Sequence, residues 1–110
     1  MEISASLIDI ESHMRRIIKG ACPPYDAGLE IWKIAMSEVE MYPDIMHPFW
    51  LIWGSLTDWV ENRPEELHNA ESAMVRASSE WLYLDHRNPK SIQEYCDRWV
   101  YDELGYQRQG

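Results

Sequence analysis

The segment His47–Val60, HPFWLIWGSLTDWV, constrains the fold of this chain more than any other. Phe49, Ile52, Trp53, Leu56, Trp59 and Val60 recur there at i, i+3, i+4 and i+7 spacings, which places them on one side of a helix. Three of the six are aromatic, so this one helix carries a large share of any core it joins. Trp50 and Leu51 fall off the stripe, which makes the helix apolar almost all round. Such a helix is either the centre of a bundle or the carrier of a surface that something else covers.

The rest of the chain has the same period. Ile3, Leu7, Ile10, Met14, Ile17 and Ile18 form a first stripe, with Ser4 or Ser6 available as N-cap, cations Arg15, Arg16 and Lys19 in the last turn, and Gly20 to end it. Ala21–Tyr25 is a loop with two prolines. Asp26 then suits the N-cap of a second helix bearing Leu29, Ile31, Trp32, Ala35, Met36 and Val39, which Pro43 stops. Asp44–His47 bridges to the tryptophan-rich third helix, opened by Pro48 at a position where a missing N–H costs nothing. Asn62, Arg63 and Pro64 end it. Pro64 starts a fourth helix with Glu65 and Glu66 in its first turn, followed by Leu67, Ala70, Met74, Ala77, Trp81 and Leu84.

After the turn Asp85–Pro89, Ser91 and Glu94 fit a capping box for a fifth helix with Ile92, Tyr95, Cys96, Trp99, Val100 and Leu104, and Gly105 suits its C′ position. No segment alternates β-branched or aromatic residues with polar ones between turn signals, so nothing supports a sheet. Asp58–Glu61 and Arg98–Tyr101 echo each other without matching surroundings, so no repeat is read. The expectation is an all-α protein, residues 1–110 forming one domain, a single compact bundle of about five amphipathic helices.

At 110 residues the chain can bury a core without metal or disulfide staples. Nineteen acidic residues against ten basic ones give a net charge of -9, which repels nucleic-acid phosphates and anionic membranes and attracts cationic partners. Cys22 and Cys96 are read as reduced thiols, Cys96 as a small buried hydrophobe. No secretory signal opens the chain, and the longest strongly apolar run, Phe49 to Trp53, is far short of the roughly 20 residues that span a bilayer. A cytoplasmic protein is expected.

Motifs for chemistry are sparse. Glu65 and His68 form one Glu-x-x-His pair, but a carboxylate-bridged metal site needs two such pairs and further glutamates, so a solvated helix start explains it better. His13, His47, His68 and His86 have no zinc spacing, and His47 reads as a residue flanking Pro48. Neither cysteine has an activating base nearby, and no nucleophile elbow or phosphate-cradling loop occurs. No cofactor, no metal and no catalysis are expected.

The acids are uneven: Asp58, Glu61, Glu65 and Glu66 gather around the third turn, while Glu94, Asp97, Asp102 and Glu103 load the fifth helix. Most such runs are solvated faces. Tyr83, read as projecting to the side of Glu65 and Arg76, and Trp50, off its own stripe, add aromatic anchors to the acids. Trp50, Asp58, Glu61, Glu65, Glu66 and Tyr83 are therefore the candidate partner-binding residues. In size, acidity and aromatic load the chain is similar, in general character only, to bacterial immunity proteins that neutralise nuclease toxins and to small phage-encoded inhibitors. That likeness implies a non-catalytic protein that occludes the basic cleft of a toxin or nuclease. The alternatives are an assembly subunit forming a homodimer through Trp50 and Leu51, and a metal-dependent helical enzyme using Glu65 and His68.

Overall fold

A computed structural model describes residues 5–105. They form helices α1 (Ala5–Lys19), α2 (Pro24–Glu38), α3 (Pro43–Asn62), α4 (Leu67–Tyr83) and α5 (Pro89–Asp97), and no strand occurs among them. A 3-10 turn, Pro64–Glu66, leads into α4, and a π-helical run, Arg98–Glu103, continues α5. Ile3 and the candidate cap Ser4 lie outside the described residues, and Ser6 sits inside α1.

Proline sets most of the starts. Pro24, Pro43, Pro64 and Pro89 each open a helical element, where the fixed φ suits the helix and no N–H is needed. This corrects two expectations. Asp26 lies in the first turn of α2 rather than at its cap, and α3 begins at Pro43, with Pro48 in its interior. Asp44–His47 is thus a helical turn. A proline at position 48 leaves one carbonyl without its helical N–H, but the added turn buries Met46 and joins Ile45 to the core, which outweighs one lost bond. At α5 the cap is Asn88, whose side chain accepts from the Lys90 N–H at 3.0 Å; Ser91 and Glu94 do not form the capping box. Gly20 and Gly105 do end their helices, with φ of 70° and 79°, the left-handed region that glycine enters without strain.

Three contacts fix the directions. The backbone N–H of Tyr25, at the start of α2, donates to Glu71 near the start of α4, and Gly28 lies under Met74, so α2 and α4 run parallel. The Trp81 indole, near the end of α4, donates to Glu11 in the first half of α1 at 2.8 Å. Helices α1 to α4 therefore alternate in direction, each touching the next, with α1 and α4 closing the ring and α2 meeting α4 across it. The π-helical run packs on α3, and α5 is tied to α4 by the Tyr95 hydroxyl, which donates to the Ala77 carbonyl at 2.7 Å.

Phe49, Ile52, Trp53 and Leu56 of α3 are fully buried, with Trp81, Tyr95 and Trp99 from α4 and the α5 segment. Phe49, Trp81 and Tyr95 meet edge to face, with centroids 4.8 and 5.3 Å apart, the arrangement that ring quadrupoles favour. Gly28 is a glycine in mid-helix because its neighbours leave no room: a Cβ there would lie 3.3 Å from Trp53 Cε3 and 3.4 Å from Met74 Sδ. The radius of gyration is 13.2 Å, close to the roughly 13 Å of a compact fold of about 100 residues. Ile18, Met36 and Leu67, placed on core stripes by their spacing, are exposed; each lies near a helix end, where neighbouring helices diverge or stop.

Candidate functional site

The antiparallel pair α2 and α3 presents one outward seam. On α2, Tyr25, Leu29, Trp32 and Met36 lie one above another at spacings of four, three and four. On α3, Trp50, Gly54 and Glu61 do the same. Two contacts register the helices. Tyr25 pairs with the Glu61 carboxylate, and the Nε1–Cδ1 edge of Trp32 lies against Gly54, where a Cβ would come within 3.1 Å of its Nε1. One helical turn further along each helix, in opposite directions, this register brings Met36 level with Trp50. The seam from Tyr25 to Met36 is about 16 Å long at 1.5 Å rise per residue.

Its two ends differ. At one end Tyr25 stands among carboxylates: Glu61, Asp26 and Asp58 lie near enough to act on its hydroxyl, while Glu71 accepts its backbone N–H at 3.3 Å. Partial burial, the hydrogen-bonded Glu61, and then Asp26 and Asp58 all push the phenol above its ordinary pKa, so the hydroxyl stays a neutral donor in a negative field. At the other end Met36 is 45% exposed and Trp50 is 37% exposed. The His47 ring stands edge-on to Trp50, centroids 5.9 Å apart. Trp32 in the middle is half-buried.

Of the six residues singled out from the sequence, Trp50, Asp58 and Glu61 come together on or beside this seam. Glu65 is exposed on the 3-10 turn beyond α3. Glu66 is committed elsewhere: it accepts the Trp59 indole N–H at 3.0 Å and the Arg63 guanidinium at 3.2 Å, and those hydrogen bonds hold its carboxyl below the ordinary value. Tyr83 is remote, because Glu65 precedes α4 and Tyr83 ends it, about 25 Å apart along a 1.5 Å rise. Helical direction alone had placed the two on one side. The spacing also missed Tyr25, Asp26, Trp32, Met36 and Glu71. The i, i+4, i+7, i+11 stripe on α2 is the available signal. Local rules, however, leave Tyr25 in the loop before the helix and give Leu29, Trp32 and Met36 to the core, whereas α2 starts at Pro24 and takes Tyr25 into the stripe.

Other charged and reactive groups are similarly tied. Glu80 accepts from Arg98 and, at 2.9 Å, from the Trp99 indole. Burial alone would raise its carboxyl, but those hydrogen bonds and the charges of Arg98 and Arg76 outweigh burial and lower it. Arg76 pairs with Glu103 at 2.8 Å and lies over the Trp99 ring, so the acids of the fifth helix are partly consumed by the fold. Glu65 and His68 are both exposed, and among the described residues no three His, Cys, Asp or Glu side chains converge as a metal site requires. Cys96 is buried, and burial with the neighbouring Asp97 pushes its thiol up to about 12, far from nucleophilic. No described helix is long and apolar enough to cross a membrane. The α2–α3 seam thus offers carboxylate acceptors at one end and a soft aromatic contact surface at the other. Comparison with protein-family models, with curated proteins and with solved structures returned no match.

Proposed function

We propose that the protein is a non-catalytic binding protein whose α2–α3 seam docks a basic protein partner. The observation that carries the reading is the pairing of ends: carboxylates around Tyr25 at one end and exposed Trp50 and Met36 at the other, on one continuous face. Carboxylates gathered at one end of a face attract and orient lysine and arginine side chains. An aromatic ring beside a thioether supplies contact area that adapts to a partner. A nuclease toxin, whose cleft is built for phosphate, has this chemistry, and occlusion of its cleft would be the mechanism. Self-association through α3 is the alternative; Leu51 is half-buried against the chain's own core, which leaves Trp50 alone of that pair to serve it.

A photo-crosslinking residue at Met36, with Lys90 as the control position, would trap the partner in cells of the organism of origin. The expected partner is cationic, and its association with Asp58→Lys/Glu61→Lys should be slowed at least ~10-fold at low salt, the difference fading as salt rises. Trp50→Ala should speed dissociation by about 10-fold or more. An acidic partner, a second copy of the chain trapped at Met36, or an association rate indifferent to both charge reversal and salt would overturn the reading.

A further inference from the structure

The seam on the opposite side of the ring, between α1 and α4, has the reverse character. Arg15, Ile18 and Lys19 of α1 and Ser79, Leu82 and Tyr83 of α4 line a shallow groove of about 240 Å³, and no carboxylate is among them. Tyr83 is 92% exposed, and Ile18 is exposed beside it. Val75, one turn before Ser79 on α4, is a further exposed apolar residue. The local concentration of charge is unusual for this chain: Arg15, Arg16 and Lys19 put three of its ten cations into the end of one helix, in a protein of net charge -9. Arg16 bonds the His13 ring at 3.2 Å, while Arg15 and Lys19 have no ion-pair partner among the described residues.

Cations at the end of α1 suit the helix dipole, which accounts for the charge but not for the apolar lining beneath it. Nor does the groove suit a free small molecule, since such sites enclose about 300–1,000 Å³. Its size fits one or two side chains of a docked segment. We propose that the α1–α4 groove is a second docking site, whose occupant is an acidic amphipathic segment of another protein. An apolar side chain of that segment seats over Ile18 and Leu82 against the Tyr83 ring, and carboxylates one helical turn to either side meet Arg15 and Lys19. A basic segment is repelled by those two cations. The groove and the α2–α3 seam lie on opposite sides of the bundle, so one molecule can hold partners of opposite charge at once, and neither proposal depends on the other.

A random peptide display library selected on the purified protein tests this directly. Enriched peptides should combine Asp or Glu with Leu, Phe or Trp at helical spacing, and the isolated peptides should shift the NMR methyl signals of Ile18 and Leu82. Arg15→Glu/Lys19→Glu should weaken their binding at least ~10-fold, about 1.4 kcal/mol. Lys33→Glu/Lys90→Glu changes net charge equally at exposed cations elsewhere, and should leave binding within about 2-fold because the groove is untouched. Circular dichroism of each variant keeps folding separate from binding. An absence of enrichment, peptides that perturb the α2–α3 seam instead, equal losses in both charge variants, or a groove covered by a second copy in sedimentation equilibrium would overturn the proposal.

Discussion

Trp81 Nε1 donates to Glu11, Trp59 Nε1 to Glu66 and Trp99 Nε1 to Glu80. Trp53 is as deeply buried as Trp81 and Trp99, yet its Nε1 has no hydrogen-bond partner among the described residues. Replacing either Trp53 or Trp81 by Ala removes a fully packed ring and should cost roughly 3–5 kcal/mol in a denaturant melt. Replacement by Phe separates the two: Trp53→Phe discards an N–H that bonds nothing, whereas Trp81→Phe strips Glu11 of its donor, so Trp53→Phe should be the milder by about 1 kcal/mol or more. Glu11→Ala should cost about 1–3 kcal/mol for the same reason, by leaving the buried Trp81 N–H unpaired. A Trp53→Phe variant less stable than Trp81→Phe would contradict this account. The Glu11–Trp81 pair is invisible in the sequence because its members are 70 residues apart. Read locally, Glu66 belonged to an acidic surface, and only the fold shows it consumed by Trp59 and Arg63.

At the scale of elements, period and punctuation carried most of the information. The five stripes became five helices, and the two terminating glycines took the conformations expected of them. Pro43 and Pro48 are equally good openers of α3 by local rules; burial of Met46 decides for Pro43. The π-helical run Arg98–Glu103 is not announced by the sequence, because an i→i+5 turn, closed here by the Leu104 N–H on the Trp99 carbonyl at 3.1 Å, is rare and has no residue signature of its own. The α5 cap was displaced by three residues, and its consequence is measurable: Asn88→Ala should destabilise by about 1 kcal/mol, and Ser91→Ala by only a few tenths. Thermal melts of the two variants check it, and equal effects would restore the capping box. Half of the candidate site was legible for a related reason. Trp50, Asp58 and Glu61 share one helix, so spacing sufficed. Tyr25 and Met36 join them only through the register of α2 against α3, which depends on Trp32 finding Gly54 empty.

For the whole molecule, protonation bounds the range over which the bundle holds. Glu66 and Glu80 are held below their ordinary values in the folded state; they add stability above the unfolded carboxyl value of about 4.5, and that stability is lost as pH falls through the folded values. Cys96 and Tyr95 act with the opposite sign. Burial raises the Cys96 thiol from 9.0 to about 12 and the Tyr95 phenol well above 10.0. The folded state therefore keeps protons that the unfolded chain releases, and stability falls as pH rises beyond about 9. The melting temperature should be highest between about pH 6 and 8 and drop on both sides, and Cys96→Ala should flatten the alkaline side. A melting temperature still rising at pH 10 would contradict the burial of both groups. The uneven placement of the six indoles has an optical consequence as well. Trp53, Trp81 and Trp99 are dry, Trp32 and Trp59 are half-covered, and Trp50 meets solvent, so iodide should quench a minor, red-shifted fraction of the native fluorescence, and Trp50→Phe should remove most of it. The protein thereby carries its own reporter: a partner seated between α2 and α3 protects that fraction from iodide, and a segment held between α1 and α4 leaves it open to quenching.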